Sequence, residues 1–387
     1  MPAATGSTGR LSGHHVAALD GLRGIAILIV MLHHFEFLLP GGSWMADTVK
    51  GIFYTGWSGV DLFFVLSGFL ITGILIDTRD AQNYFSSFYA RRILRIFPLY
   101  YAVLTLLVIV ALHPTQIYYY LYLSNWLILI KDGWQPNVAG HFWSLAVEEQ
   151  FYLIWPLCIW LVPKRFRLRF TLAGCVFALL LRIGLVATYG PSQAIARNTF
   201  ARMDTLLAGA SCAVIVRSES MVERVRPWLI PAMILSGAVV LWVDVVQKEL
   251  RVAGIYTETA EFSFLAVGYA ALLLRVFLGQ GSGSIAQRVM GAEALKATGK
   301  YSYGMYVLHV PILLTADFFL HQALGLGVNP WTSIPFVAGL IAVSFLAAKT
   351  SYTLFEQRFL RMKGRFEPRF LAPSLSAEAP VLTGAGT

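Results

Sequence analysis

The chain has 387 residues, of which 57% are hydrophobic and only 13% are charged, and its mean hydropathy is +0.64. Soluble proteins carry about 25% charged residues, so this composition excludes an ordinary soluble domain and favours one large membrane domain. The net charge of +9 comes from basic residues in short segments between apolar runs. This pattern is typical of cytoplasmic loops rather than of a nucleic-acid-binding surface, and the three cysteines show no metal-binding spacing.

Ten segments of the chain have the length and apolarity of membrane-spanning helices, which need about 20 residues. They are, in chain order, residues 24–40, 58–76, 97–112, 143–162, 170–189, 200–216, 227–246, 261–278, 301–321 and 332–354. The sequence therefore predicts an all-α polytopic membrane protein of the plasma (inner) membrane. We expect a flexible N-terminal segment (1–18), a membrane domain (19–361) and a basic, then disordered, C-terminal tail (362–387).

The tyrosine-rich run at 117–130 is apolar but short, and it decides the predicted topology. If this run does not cross the membrane, the arginine- and lysine-rich loops all fall on one side. Since basic loops mark the cytoplasmic side, we predict that 117–130 is interfacial or re-entrant and that both termini are cytoplasmic.

The first predicted span contains two adjacent histidines, His33 and His34, in the stretch "IVMLHHFEFLLP". Polar groups in hydrocarbon are costly and usually functional. Arg23 precedes His34 by eleven residues, which returns it to the same helical face about 16 Å away along the axis. This spacing predicts Arg23 at the cytoplasmic boundary and His34 near the middle of the membrane, with His33 pointing elsewhere.

Two further predicted spans carry polar residues at depth. Ser67 and Gly68 fall near the middle of the second span, where close helix packing is the alternative interpretation. Glu148 and Glu149 lie roughly 8 Å inside the outer end of the fourth span. Two adjacent carboxylates in an apolar run indicate a cavity or a charged partner, although a position at the outer headgroups is the alternative.

The ninth span and the cytoplasmic end of the third complete the set of candidates. Tyr303, Tyr306 and His309 recur every three residues and share a helical face. Arg92 and Arg95 share a face at a predicted cytoplasmic boundary, where simple anchoring also explains them. Together with Arg23 they form a predicted cluster of guanidinium groups, which suits a phosphate-bearing ligand.

These residues form a predicted column, with cations at the cytoplasmic mouth, a histidine at mid-depth and carboxylates slightly further out. Burial favours the neutral imidazole, which is the base form. A histidine oriented by a glutamate could deprotonate a hydroxyl that attacks a thioester, while the arginines hold the phosphates of an acyl-CoA. The same column also fits a proton relay in a transporter, and depth and spacing alone leave both readings open.

Five motifs extend the argument beyond spacing. In chain order they are "LDGLRGIAILIVMLHH", "GVDLFFVLSGFLIT", "YARRILRIFPLYY", "FWSLAVEEQFYLIWP" and "YSYGMYVLHVPI". From about Leu19 to about Arg361 the chain thereby resembles the acyltransferase-3 family of bacterial integral membrane O-acyltransferases. Some members carry a fused extracytoplasmic esterase-like domain, and we expect this chain to need another protein for any step such a domain performs.

The resemblance implies a ten-helix membrane enzyme that moves an acyl group, usually acetyl, from acyl-CoA to a hydroxyl of a cell-surface or lipid-linked carbohydrate. Acyl-CoA is then a substrate, with no tightly bound cofactor or metal and with no nucleic-acid partner. O-acylation of a small metabolite such as a macrolide is the alternative within this chemistry. A transporter or flippase of a glycolipid is the alternative of a different class.

The motifs also imply roles for individual residues. His34 matches the family's histidine and is the predicted general base, with Glu149 or Glu148 as its partner. The family's basic features fall on Arg23, Arg92 and Arg95, which are predicted to bind acyl-CoA. The predicted walls of the substrate tunnel are His33, Ser67 (with Gly68 and Phe69 in the same Ser-Gly-Phe motif), Tyr303, Tyr306 and His309.

Overall fold

The computed structural model describes residues 17–39, 41–111, 116–130, 138–250, 254–319 and 330–371. Within these ranges the chain is helical and has no strands, which confirms the all-α prediction for this part. The helices of 17 residues or more are α1 (Ala17–Phe35), α2 (Gly59–Asp77), α3 (Tyr84–Ala111), α4 (Trp143–Leu161), α5 (Arg167–Tyr189), α6 (Thr199–Ile215), α7 (Leu229–Leu250), α8 (Phe262–Leu278), α9 (Glu293–Asp317) and α10 (Pro330–Ser351).

Each predicted span overlaps one of these helices, but their membrane-spanning character differs. Seven helical stretches of the described chain are long and apolar enough to cross a membrane: Ala18–Leu38, Ala46–Asp77, Tyr84–Val110, Lys164–Tyr189, Glu219–Val243, Thr257–Leu278 and Ser333–Phe366. The helices α4, α6 and α9 fall outside this set. The helices α4 and α9 carry polar residues that the sequence singled out. The helix α6 carries buried charges and has only 17 residues. A multi-helix membrane fold is thus confirmed, whereas the count of ten spans stays a prediction.

The run at 117–130 forms two short helices, Gln116–Tyr120 and Ser124–Ile130. At 1.5 Å per residue, seven residues extend only about 10 Å, so neither helix can cross a membrane. The first is fixed to α3 because the Tyr100 and Tyr101 hydroxyls donate hydrogen bonds of 2.8 and 2.9 Å to its last two carbonyls. Two short helices separated by a turn agree with a run that is not one spanning helix, and its interfacial or re-entrant placement stays a prediction.

Glycines bring two pairs of helices into backbone contact. A Cβ added at Gly68 of α2 would lie 1.8 Å from the carbonyl oxygen of Leu206 in α6, and one at Gly299 of α9 would lie 1.8 Å from that of Asp20 in α1. Small residues permit such close approach between membrane helices. Close packing is thus a structural role of Gly68, and the second contact joins the two helices that carry His34 and His309.

Buried ion pairs tie α6 to α2 and to α5, and their pairing was not predicted from the sequence. Arg202 Nη2 of α6 lies 2.5 Å from Asp61 Oδ1 of α2, with both side chains almost fully buried. Arg182 Nη2 of α5 lies 2.7 Å from Asp204 Oδ2 of α6, which also accepts a hydrogen bond from Ser263 of α8. A buried charge is tolerated when a partner compensates it, so these pairs fix the mutual register of four helices.

The predicted terminal segments lie partly outside the described residues. Of the N-terminal segment 1–18, only Ala17 and Ala18 are described, and both belong to α1. The first part of the C-terminal tail packs on the start of α3, where Ser87 Oγ donates a 2.7 Å hydrogen bond to the Phe366 carbonyl. Residues 372–387 lie outside the described chain, and the domain boundaries stay predictions.

Candidate active site

Three histidine rings meet at one end of the helix bundle. His34 lies in the last turn of α1, His309 lies on α9, and His141 lies in the short 3-10 helix Gly140–Phe142 that precedes α4. The ring centroids of His34 and His309 are 4.9 Å apart, those of His141 and His309 are 5.0 Å apart, and those of His34 and His141 are 6.3 Å apart. We call these three residues the histidine cluster.

Backbone carbonyls assign the tautomers of two of these rings. His34 Nδ1 lies 2.9 Å from the Val30 carbonyl oxygen, and His309 Nδ1 lies 2.7 Å from that of Tyr306. A carbonyl oxygen only accepts, so each neutral ring carries its proton on Nδ1. His309 Nε2, 3.3 Å from His34 Nδ1, is then a second acceptor for that proton.

The consequence is a free lone pair on His34. Its Nε2 is the unprotonated nitrogen, and it has no hydrogen-bond partner among the described residues. A neutral imidazole held in this way is the arrangement that a general base requires. The orienting groups are the Val30 carbonyl and the ring of His309.

The two adjacent histidines of the first motif have different surroundings. His33 Nδ1 donates to the Tyr54 carbonyl at 2.9 Å, and its ring contacts the edge of the Tyr54 ring at 5.7 Å. His34 instead faces the histidine cluster. The two rings also contact each other edge to face, with centroids 5.4 Å apart, so the two histidines differ in their other partners rather than pointing fully apart.

The structure describes α1 from Ala17 to Phe35, so the residues around Asp20 continue the helix before the predicted span and pack against Gly299 of α9. His34 lies in the last turn of α1, nearer the end of the apolar stretch Ala18–Leu38 than its middle. Its depth in the membrane stays a prediction.

The predicted contact between His34 and a glutamate is not formed. Glu148 instead accepts a 2.7 Å hydrogen bond from Ser67 Oγ, and Glu149 Oε1 is buried without a hydrogen-bond partner in the described chain. Glu148 lies seven residues after His141, which is about 10 Å further along the axis of the helical segment that contains both. The carboxylates thus lie between the arginines and the histidines, which reverses the order predicted for the column.

The predicted arginine cluster does form. Arg92 and Arg95 lie within electrostatic range of Arg23, and Glu148 lies within range of Arg92 and Arg23. The Arg92 guanidinium lies 5.7 Å from the centre of the Tyr152 ring. Neither Arg92 nor Arg95 forms a hydrogen bond or ion pair with another described residue, so their N–H donors are available to a ligand.

The two tyrosines of α9 have their hydroxyls engaged. Tyr303 donates to the Ile96 carbonyl at 2.6 Å, and its ring lies 6.0 Å from the Arg95 guanidinium. The Tyr306 hydroxyl lies 2.6 Å from Ser144 Oγ and 2.7 Å from the His141 carbonyl oxygen. Both rings therefore line the column between the two clusters, with no hydroxyl left over for chemistry.

Two residues of the histidine end were missed by the sequence analysis. His141 belongs to the segment "GHFWSLAVEEQ", just before a predicted span, and its place outside that span concealed it. Arg197 lies within electrostatic range of His34 and Tyr306, and its guanidinium lies 5.4 Å from the Trp143 ring. Burial lowers the pKa of Arg197 to about 10, so it stays protonated at neutral pH.

Three clustered histidines raise the question of a metal site. No group of three or more histidine, cysteine or acidic side chains within the described ranges is arranged to hold a metal ion. The proton of His34 Nδ1 points toward His309 Nε2, which is a hydrogen-bonding geometry rather than shared ligation.

Comparison with known proteins extends this picture to relatives. The chain is 28% identical over 384 residues to the peptidoglycan O-acetyltransferase OatA of Listeria monocytogenes, an alignment that covers 90% of the chain and 56% of the relative. It is 26% identical over 377 residues to the O-acetyltransferase OatA of Staphylococcus aureus, covering 91% of the chain and 58% of the relative. The chain thus spans little more than half the length of these relatives, and no solved structure matches it.

The family assignment rests on a match over most of the chain. The sequence model of the acyltransferase-3 family, described as an acyltransferase domain, matches residues 16–349. This range contains all five motifs and every predicted site residue. The chain belongs to the acyltransferase-3 family.

Proposed function

We propose that the protein is a membrane O-acyltransferase that moves an acetyl group from acetyl-CoA to a hydroxyl of a cell-surface carbohydrate. The observation that carries this proposal is the tautomer of His34, whose Nε2 lone pair is unpartnered among the described residues. Peptidoglycan is the acceptor we propose first, because both relatives above are O-acetyltransferases and one is named for that polymer.

The arginine cluster supports acyl-CoA as the donor. Planar guanidinium groups bind phosphates through paired hydrogen bonds, and those of Arg92 and Arg95 are unpaired in the described chain. Ten residues of continuous helix lie between Arg23 and His34, which are about 16 Å apart along α1. A CoA bound by its phosphates at the arginines would extend its long arm toward the histidine cluster, past Ser67 and Glu148.

The chemistry then follows from the free nitrogen of His34. As the acceptor hydroxyl attacks the thioester carbon, a C–O bond forms and the hydroxyl proton moves to Nε2. When the tetrahedral intermediate collapses, the C–S bond breaks and the proton passes from Nε2 to the leaving thiolate. The products are the acetyl ester and free CoA thiol, and His34 returns to its neutral state.

The proposed topology places donor and acceptor on opposite faces of the membrane. We propose ten spans in the plasma membrane with both termini cytoplasmic, which sets the arginine cluster at the cytoplasmic side where CoA is available. The histidine cluster then lies near the outer side, where a cell-surface glycan is accessible. Acetyl transfer across the membrane follows without movement of the whole CoA molecule.

The test uses the purified full chain in nanodiscs with radiolabelled acetyl-CoA and a soluble peptidoglycan oligosaccharide. We expect release of free CoA thiol and a product whose mass increases by one acetyl group. Absence of thiol release and of ester with every hydroxyl acceptor tried would contradict the proposal. Uptake of intact glycolipid by proteoliposomes without ester formation would support the transporter instead.

A further inference from the structure

His141 is buried beside the proposed base, yet its ring is unbonded. Only 3% of the residue is exposed, and neither Nδ1 nor Nε2 has a hydrogen-bond partner in the described chain. The backbone of Val307 and Tyr306 approaches the ring and interacts with it, but without the geometry of a hydrogen bond. A buried polar group without a partner costs about 1–3 kcal/mol, and such a group calls for a functional explanation.

Acyl transfer needs a donor that His34 does not supply. The thioester carbonyl oxygen becomes negative in the tetrahedral intermediate, and a positioned N–H or O–H stabilises it. The proton of His34 Nδ1 is directed at Val30 and His309, so this ring offers the reaction only an acceptor. The donor must come from another group at the histidine end.

Two neighbouring side chains already direct their donors elsewhere. His309 Nδ1 donates to a backbone carbonyl, and its Nε2 faces His34. The Tyr306 hydroxyl is held between Ser144 and the His141 carbonyl. The Arg197 guanidinium is held against Gln193 and the Trp143 ring, although its Nε makes no hydrogen bond. Among the described rings of the histidine cluster, His141 alone has an N–H with no acceptor at hydrogen-bonding geometry.

We propose that His141 is a second catalytic residue, whose ring N–H donates a hydrogen bond to the thioester carbonyl oxygen of the acyl donor. The proposal rests on the acyl transfer proposed above. As the hydroxyl adds and its proton moves to His34 Nε2, the carbonyl oxygen gains the negative charge and His141 holds it. Collapse restores the carbonyl, releases the thiolate to take the proton from His34, and leaves His141 unchanged.

Three substitutions at one position test this role. His141→Phe keeps a ring but removes both nitrogens, whereas His141→Asn and His141→Gln place an amide N–H near Nδ1 and Nε2, respectively. Loss of one oxyanion donor costs about 10²–10³ in kcat. We expect that loss in His141→Phe with an unchanged KM for acetyl-CoA, and at least a tenfold recovery in one of the two amides.

Stability separates this role from a structural one. His141→Phe removes two unpartnered buried polar atoms, so its melting temperature should equal or exceed that of the wild type while its kcat falls. If the larger phenyl ring prevents folding, His141→Leu replaces it in the comparison. Ser236→Ala is the matched control, since Ser236 Oγ is also buried and unpartnered but lies on α7, which packs against α8 rather than against the helices of the histidine cluster.

The pH profile provides the remaining readout. A donor that stays neutral does not determine where kcat/KM falls at acidic pH. The better amide variant should therefore lose activity over the same acidic pH range as the wild type. Wild-type kcat in His141→Phe, an equal loss in all three variants, or a shifted acidic pH range in the better amide would each overturn the proposal. An inactive wild type would instead contradict the proposed function itself, so the two failures are distinguishable.

Discussion

Gly68→Ala tests whether α2 and α6 pack backbone to backbone. The added Cβ would lie 1.8 Å from the Leu206 carbonyl oxygen, whereas real Cβ contacts are almost never shorter than 3.0 Å. The obstacle is main chain in a helix, so no side chain can move aside. The two helices would have to separate by about 1.2 Å at this point, the difference between these two distances.

Overpacking of this kind costs about 1–3 kcal/mol. The separation also acts on two nearby interactions, an ion pair and a hydrogen bond. The Arg202–Asp61 contact of 2.5 Å joins the same two helices, and breaking a buried pair costs about 3–5 kcal/mol. A partial loss of the ion pair gives an expected decrease in the free energy of unfolding of about 2–5 kcal/mol. Ser67, adjacent to Gly68, would also shift relative to Glu148.

The assay is thermal unfolding of the purified protein in one detergent, followed by intrinsic fluorescence. Gly184→Ala is the control, because a Cβ there would meet nothing within 4 Å. In α5 this change replaces glycine by a better helix former, which is worth up to about 1 kcal/mol. We expect the melting temperature of Gly68→Ala to fall below that of the wild type and that of Gly184→Ala not to fall. Equal melting temperatures would refute the close contact.

Three further predictions follow from single contacts. Asp61→Asn leaves the Arg202 charge buried without its counter-charge, and we expect a loss of about 3–5 kcal/mol in stability by denaturant unfolding, which Asp61→Leu combined with Arg202→Met should restore. Ser67→Ala removes the hydrogen bond to Glu148, worth about 1.5–3 kcal/mol, so the melting temperature should fall and initial rates should show a reduced kcat. Arg92→Gln should raise the KM for acetyl-CoA more than Arg92→Lys, and an unchanged KM in both would contradict phosphate binding there.

The sequence predicted the helical segments well, since each depends on local apolar length. The placement of the run at 117–130 rested on loop charges rather than on its own composition, and it stays a prediction. Arg23, Arg92 and Arg95 were also predicted to cluster, because all three precede or begin apolar runs on the same predicted side. Patterns of this kind need no knowledge of which helices touch.

The order of the site residues along the column could not be read from the sequence. It depends on which helices touch. Gly299 of α9 packs on the backbone of Asp20 in α1, and Glu148 accepts a hydrogen bond from Ser67 of α2 rather than contacting His34. Neither contact is visible in the sequence, so the carboxylates were assigned to the far side of His34 from the arginines.

The histidine cluster was recoverable only in part. His34 and His309 stood out as polar residues inside apolar runs, but their contact joins residues 275 positions apart. His141 lies in a turn outside any predicted span, where a histidine is unremarkable. The buried charges Asp61 and Arg202 fall inside predicted spans but were not singled out, and only the packing of α2 on α6 shows that they form a pair.

The rate of acetyl transfer by His34→Ala tests the central claim most directly. A general base contributes about 10²–10⁴ to the rate, so we expect kcat to fall by at least about 10² while binding of acetyl-CoA at the arginines persists. His33→Ala, measured beside it, should lose less, because its ring faces Tyr54 rather than the cluster. Transfer at the wild-type rate by His34→Ala would contradict the account.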